Sequence, residues 1–288
     1  MEKQAKPVTT AKFQKMKKEG TPISVITAYD YPSAKLAEEA GVDAILVGDS
    51  LGNVVLGHES TLPVTLDDII YHTRAVTRAV TIPLVVADMP FMSYHGSRDE
   101  TLRGVARLMR EGLAKTIKME GGAEIAETVQ NCVQAGVPVM GHLGFTPQSV
   151  HRIGGYFIQG KTEKDARKLI DDAIALEQAG AYAIVLELMP EELAGEISRR
   201  LSIPTIGIGA GSQCDGQVLV FHDMLQYGSG IPPKKFVKPY ARIGDMMREG
   251  IAQYVKEVKN RSFPDEAHSF HAEQTAVGAL YGSEGAAK

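Results

Sequence analysis

The sequence predicts a single (β/α)8 barrel, on three observations: a recurring phrase of helix, glycine, apolar strand and acid; eight strand-like runs at helix-sized spacing; and no linker between them. The phrase occurs at 38–49 (EEAGVDAILVGD), 110–120 (REGLAKTIKME), 133–142 (VQAGVPVMGH) and 177–188 (EQAGAYAIVLEL). Gly41, Gly112, Gly136 and Gly180 stand where a helix C-terminus favours the left-handed conformation. The runs after them are short, branched and nearly continuous, as strands buried on both faces are.

Taken in order, ISVITAYD (23–30) is the first strand, with Asp30 ahead of Pro32 read as a helix cap. The second ends at Asp49. TIPLVVAD (81–88) is the third, with Pro83 at its start, where a missing N–H is tolerated. TIKME (116–120) and PVMGH (138–142) follow. The sixth, AYAIVLEL, is preceded by a helix whose Ala166, Leu169, Ile170, Ala173, Ile174 and Leu176 recur at helical spacing. SIPTIGIG (202–209) is the seventh and KKFVKPY (234–240) a weak eighth. The rival is an open Rossmann-like sheet, supported by IGIGAG (206–211), but that spacing is not G-x-G-x-x-G. The expected domains are a barrel with its N-terminal helix over 1–271 and a flexible Gly/Ala-rich tail over 272–288.

Lys and Arg total 31 against 35 Asp and Glu, a net charge of -4, which argues against nucleic acid as a main partner. Acids interrupt the apolar stretches well short of the roughly 18 residues a bilayer requires. The first 20 residues carry six lysines and no apolar core, so no secretory signal is expected. Cys132 and Cys214, far apart and outside any C-x-x-C, fit a reducing cytoplasm.

Barrel enzymes work at the C-terminal ends of their strands. There Asp49, Asp88, Glu120 and Glu187 close the second, third, fourth and sixth strands. The first three come from neighbouring strands, and three hard oxygen donors at one mouth suit Mg²⁺. Any one alone reads better as a cap or ion-pair member. As a set they would repel one another in an apolar setting, a cost that a cation relieves.

Lys118 lies two residues before Glu120, so strand alternation turns both into the lumen. It reads as a buried partner for Glu120, as a cation receiving an anionic substrate, or, third, as a Schiff-base lysine that neighbouring acids would keep protonated. His142 ends the fifth strand and reads as a carbonyl polariser or, with no acid beside it in sequence, a structural hydrogen-bonder. No histidine falls at zinc-ligand spacing, and Ser50 in GDSLG does not fit G-x-S-x-G. A divalent cation, an ammonium and one further carboxylate make a site for enolising a 2-oxo acid. Glu187, flanked by Leu186, Leu188 and Met189 and not needed for the metal, is then the base.

VGDSLGNVVLGHESTLPVT, VVADMPFMSY, TIKMEGG, GHLGFTPQSV, GGYFIQGK, IGIGAG and PDEAHSF occur in one order, and from about Thr10 to His271 the chain resembles the ketopantoate hydroxymethyltransferase family. The resemblance implies a (β/α)8 barrel of the phosphoenolpyruvate/pyruvate type. It implies transfer of a hydroxymethyl group from 5,10-methylenetetrahydrofolate to 3-methyl-2-oxobutanoate, giving 2-dehydropantoate on the way to pantothenate and coenzyme A, with Mg²⁺. It places the metal on Asp49, Asp88 and Glu120, the oxo-acid contacts on Asp49, Ser50, Asp88 and Lys118, and the proton acceptor on Glu187. A homodecamer is implied too. Phe157, Asn53 and Glu59 depart from the family's usual residues, and none belongs to the expected metal set. The alternatives are a related Mg²⁺-dependent lyase of 2-oxo acids, which would require a reactive cysteine in a mobile loop, and a non-catalytic ligand-binding barrel.

Overall fold

A computed structural model describes residues 6–228 and 234–272. Residues 1–240 form one compact unit. In it eight parallel strands close into a barrel in sequence order, β8 pairing back to β1. The strands are β1 (Ile23–Thr27), β2 (Ala44–Val47), β3 (Leu84–Asp88), β4 (Thr116–Glu120), β5 (Val139–Gly144), β6 (Ala183–Glu187), β7 (Thr205–Ile208) and β8 (Gly216–Leu219). Helix α1 (Thr10–Glu19) precedes them. The connections carry α2 (Tyr31–Glu39), α3 (Leu51–Val54), α4 (Leu66–Ala79), α5 (Arg98–Arg110), α6 (Ala126–Gln134), α7 (Val150–Ile153), α8 (Glu163–Gln178) and α9 (Glu191–Arg200), and α10 (Phe221–Met224) follows β8. The closed order excludes the open Rossmann-like sheet. Among the described residues no helix is long and apolar enough to cross a membrane.

Strand alternation divides the apolar residues into two sets. Ala44, Leu46, Leu84, Val86, Met140, Ala183, Val185 and Ile206 fill the lumen, while Ile45, Val47, Val85, Ala87, Ile117 and Ile184 pack outward against helices. Phe13 and Met16 of α1 belong to the lumen cluster, with Phe13 edge-on to Tyr182 at 6.0 Å between centroids. This helix floors the barrel, so the C-terminal mouth is left for chemistry. It is capped by Thr9 and ended by Gly20 in the left-handed conformation. Asp30 caps α2 as expected, and Thr65 with Asp68 and Ser97 with Glu100 form capping boxes on α4 and α5.

The two proline-led strands start in the same way. Glu38 accepts hydrogen bonds from the N–H groups of Thr81 (2.6 Å) and Ile82 (2.9 Å), and Glu177 from those of Ser202 (2.6 Å) and Ile203 (3.2 Å). A helix-end glutamate thus holds the chain just before Pro83 and Pro204. Burial pushes the Glu38 pKa up, but Lys35 and the two N–H groups outweigh it and hold the carboxyl down at about 2. Its folded pKa lies below the unfolded value of about 4.3, so its contribution is present above that pH and disappears as pH falls toward 2. Glu38→Gln is expected to cost on the order of 2 kcal/mol at neutral pH. In urea melts the gap from the parent should narrow between about pH 5 and pH 3.

Two expectations need correction. The eighth strand is Gly216–Leu219, not KKFVKPY; Lys234–Tyr240 form turn and coil. Only seven residues, 209–215, connect β7 to β8, with no helix between them, so the helix-sized spacing that flags the other strands is missing. Gly216 is required there because a Cβ would lie 2.4 Å from the Ile23 carbonyl oxygen. A groove of about 960 Å³ lies along β1 and β8. Gly41, Gly136 and Gly180 have positive φ as expected, but at Gly112 the left-handed residue is its neighbour Leu113 (φ 60°). The expectation at Gly112 fails because a Cβ there would strike the Leu108 carbonyl oxygen at 2.7 Å; the glycine serves close packing. The described residues from 241 to 272 belong to a second unit containing α11 (Ile243–Asn260). The expected tail lies, beyond Ala272, outside the described residues.

Candidate active site

The parity that puts Leu84 and Val86 in the lumen turns Asp88 inward at the mouth, and likewise Lys118 and Glu120 on β4, His142 on β5 and Glu187 on β6. Asp49 and Ser50 reach the same place from the turn after β2. All seven line one cavity of about 90 Å³ at the C-terminal end of the barrel. Every site residue expected from the sequence is therefore in one place.

Lys118 Nζ lies 2.9 Å from Asp88 Oδ1, 3.7 Å from Glu120 Oε1 and 3.3 Å from His142 Nδ1. His142 bridges two acids, with Nδ1 3.3 Å from Glu120 Oε1 and Nε2 3.2 Å from Glu187 Oε2. Ser50 Oγ is 2.7 Å from the Tyr29 hydroxyl. The Asp88 and Glu120 side chains are 2% exposed, whereas Glu187 is 16% exposed and is the acid an incoming molecule can meet.

Each of the three buried acids anchors one oxygen on a neutral N–H. Asp88 Oδ2 accepts from the Asp49 N–H at 2.9 Å, Asp49 Oδ2 from Gln148 Nε2 at 2.9 Å, and Glu120 Oε2 from the Gln148 N–H at 3.0 Å. The other oxygens, Asp88 Oδ1 and Glu120 Oε1, are buried without a directed hydrogen bond. Burial and the charges of Glu120 and Asp88 push Asp49 well above the usual carboxylate range, and burial pushes Asp88 up against the pull of Lys118. Burial also opposes ionisation of Glu120, but His142 and Lys118 outweigh it and hold that carboxyl low. Burial and Lys118 disfavour a charged His142, yet Glu120 and Glu187 hold its pKa up to about 9. Burial likewise disfavours the Lys118 ammonium, which Asp88, Glu120 and Asp49 outweigh, so its pKa is raised.

Were all four carboxylates ionised beside the Lys118 and His142 cations, two negative charges would be in excess, which a divalent ion would balance; without it the mutual repulsion is part of what raises Asp49. Among the described residues no three His, Cys, Asp or Glu side chains are drawn together tightly enough to enclose a metal by themselves. The donors do fit an ion that keeps water and substrate oxygens in its shell, as Mg²⁺ does with one or two carboxylates. Asp88 Oδ1 and Glu120 Oε1, held by ion pairs with Lys118 and His142 but by no well-directed hydrogen bond, are the oxygens such an ion would engage.

Sequence reasoning missed Tyr94 and Gln148, and it left His142 without its acids. Strand parity could have placed His142 beside Glu120, since the two are register partners across β4 and β5. Gln148 lies in a turn after β5 and carries no such periodic signal. Gly144 holds the end of β5 close to the base: its φ is 91°, and a Cβ would lie 2.1 Å from the Glu187 carbonyl oxygen. Gly144→Ala is expected to destabilise the fold by about 3 kcal/mol, read as a lower denaturant midpoint.

Comparison with known proteins gives the fold and the family. Phosphonopyruvate hydrolase, in a structure with oxalate and Mg²⁺, superposes with a TM-score of 0.57 at 15% identity, covering 94% of this chain and 98% of that one. 2,3-Dimethylmalate lyase, a member of the PEP mutase/isocitrate lyase superfamily, gives 0.56 at 16% identity, with 95% of each chain covered. At those identities the likeness is one of fold. In sequence, the chain is 57% identical over 267 residues to 3-methyl-2-oxobutanoate hydroxymethyltransferase of Thermoanaerobacter sp. (strain X514), covering 93% of this chain and 97% of the relative. The profile of one family matches residues 7–266. By that match and that identity, the chain belongs to the ketopantoate hydroxymethyltransferase family.

Proposed function

We propose that this chain transfers a hydroxymethyl group to C3 of 3-methyl-2-oxobutanoate, as its relatives are named for doing, with 5,10-methylenetetrahydrofolate as donor and Mg²⁺ as the resident ion. The observation that carries this reading is the set of three buried acids, each with one oxygen anchored on an N–H, beside a buried ammonium and below a more exposed fourth carboxylate. Asp49, Asp88 and Glu120 would hold the ion, directly or through water. When bound, it supplies Lewis-acid stabilisation of the charge that builds on the keto oxygen as C3 is deprotonated.

The chain's own groups do the rest. Lys118, kept protonated by its acids, attracts the oxo acid's negative charge. Ser50, its hydroxyl oriented by Tyr29, and Asp49 and Asp88 meet the substrate's oxygens. Glu187 takes the C3 proton, and His142, 3.2 Å away, holds that carboxylate in place and can stabilise its charge. Water adds its oxygen to the donor's one-carbon unit as both C–N bonds to it break, its two hydrogens going to the two released nitrogens; the C3 carbon then bonds to that unit, now at the oxidation level of formaldehyde, and the proton taken by Glu187 ends on the new hydroxyl oxygen.

A lyase reading finds less support. Cys132 is buried in α6 with its thiol pushed by burial to about 11, and burial also raises the pKa of Cys214, so neither is a poised thiolate. The chain is assigned to the cytoplasm and to a homo-oligomer, with the decamer as its expected form. Incubation with the oxo acid, methylenetetrahydrofolate and Mg²⁺ should yield 2-dehydropantoate by mass spectrometry, and chelation should stop it. No product in the complete mixture would overturn the assignment.

A further inference from the structure

We propose that Gln148 and Tyr94 are positioning residues: they determine which oxygen of Asp49 and of Glu120 faces the site, and thereby set the chain's affinity for a divalent cation. The inference rests on the reading of Asp49, Asp88 and Glu120 as the cation's holders.

Gln148 is buried and touches both outer acids. Its Nε2 donates to Asp49 Oδ2 at 2.9 Å and to the Met89 carbonyl at 3.0 Å, while its backbone N–H donates to Glu120 Oε2 at 3.0 Å. The Tyr94 hydroxyl lies 2.7 Å from Gln148 Oε1 and 3.0 Å from the Glu120 carbonyl oxygen, and it accepts from the Glu120 N–H at 3.1 Å. It has one hydrogen, and the shorter contact is to Gln148. That donor fixes the amide in one sense. Reversed, Oε1 would face a carboxylate and a carbonyl, two acceptors, and the NH₂ would displace the tyrosine's hydrogen bond.

The consequence is directional. With Asp49 Oδ2 and Glu120 Oε2 both occupied, Asp49 Oδ1 and Glu120 Oε1 are left to face the site, the latter beside only the charged groups of His142 and Lys118. The clamp is neutral at both acids. An arginine or lysine side chain in its place would hold Asp49 equally well but cancel the negative charge the cation requires; the Glu120 contact is a backbone N–H. Gln148 orients without neutralising, and Tyr94 supports it while also meeting the Glu120 backbone N–H and carbonyl.

The test is a titration of the whole protein with Mn²⁺, followed by electron paramagnetic resonance, without either substrate. Gln148→Met is expected to weaken Mn²⁺ binding by about 10- to 100-fold, the usual effect of removing a group that orients a metal ligand. Tyr94→Phe, which loses one oxygen, should weaken it by about 3- to 10-fold. The double variant should lose less than the two single losses combined, since the two side chains share one hydrogen bond. Single variants that bind Mn²⁺ as tightly as the parent, even with lowered melting temperatures, would reduce both residues to a structural role and overturn the inference. Additive losses in the double variant would overturn the relay from Tyr94. If Gln148→Met does not fold, Tyr94→Phe decides. A parent that takes up no Mn²⁺ would overturn the cation reading itself, a separate failure.

Discussion

Glu187→Gln is expected to lower the rate of 2-dehydropantoate formation by about 10²- to 10⁴-fold, the range for losing a positioned general base. Binding of Mg²⁺ and of the oxo acid should change little. The amide is isosteric, and its oxygen can still face His142 Nε2, which lies 3.2 Å from the present carboxylate. The substitution leaves the buried acids and Lys118 untouched. Calorimetry of each ligand beside steady-state rates separates the outcomes. Weakened Mg²⁺ binding would move Glu187 into the metal set, and an unchanged rate would remove it from proton transfer.

Asp88→Ala should have the largest effect on the ion. Asp88 presents Oδ1 toward the site, holds the Asp49 N–H through Oδ2 and faces Lys118 at 2.9 Å, so its loss removes a ligand, unpairs a buried amide and strips Lys118 of its nearest anion. Mg²⁺ affinity is expected to fall by at least about 100-fold, the upper end of what loss of a mere supporting residue costs. Breaking a buried pair adds about 3 kcal/mol of destabilisation. Asp88→Asn keeps the acceptor for Asp49 and the shape of the side chain while removing the charge. It should recover the Asp49 hydrogen bond but not the ion pair with Lys118, so only part of the stability and little of the affinity return. Unchanged Mg²⁺ binding in both variants would show that Asp88 is not a ligand.

How far the sequence carried this account differs between strand and loop. Asp88, Lys118, Glu120 and Glu187 were legible because a strand of known phase fixes which residues face the lumen, and a floored barrel leaves the mouth as the place for charge. The eighth strand was not legible: GQVL has only two apolar residues, follows no helix and is defined by its pairing with Ile23–Ile26, a contact between distant parts of the chain. Gln148 and Tyr94 were invisible for a related reason. They lie in loops after β5 and β3, and their importance comes from hydrogen bonds to Asp49 and Glu120 that no periodicity reports. His142 was half legible: its strand position was readable, but its two acids belong to the strands on either side of it.

The account's central claim is that these acids hold a cation under which a 2-oxo acid loses its C3 proton to Glu187. The most direct measurement is proton NMR of 3-methyl-2-oxobutanoate in D₂O with the protein and Mg²⁺, and without folate. The C3 hydrogen signal should vanish by exchange, and chelation of the ion should stop the loss. Retention of that hydrogen with Mg²⁺ present, or exchange at the same rate after chelation, would contradict the claim.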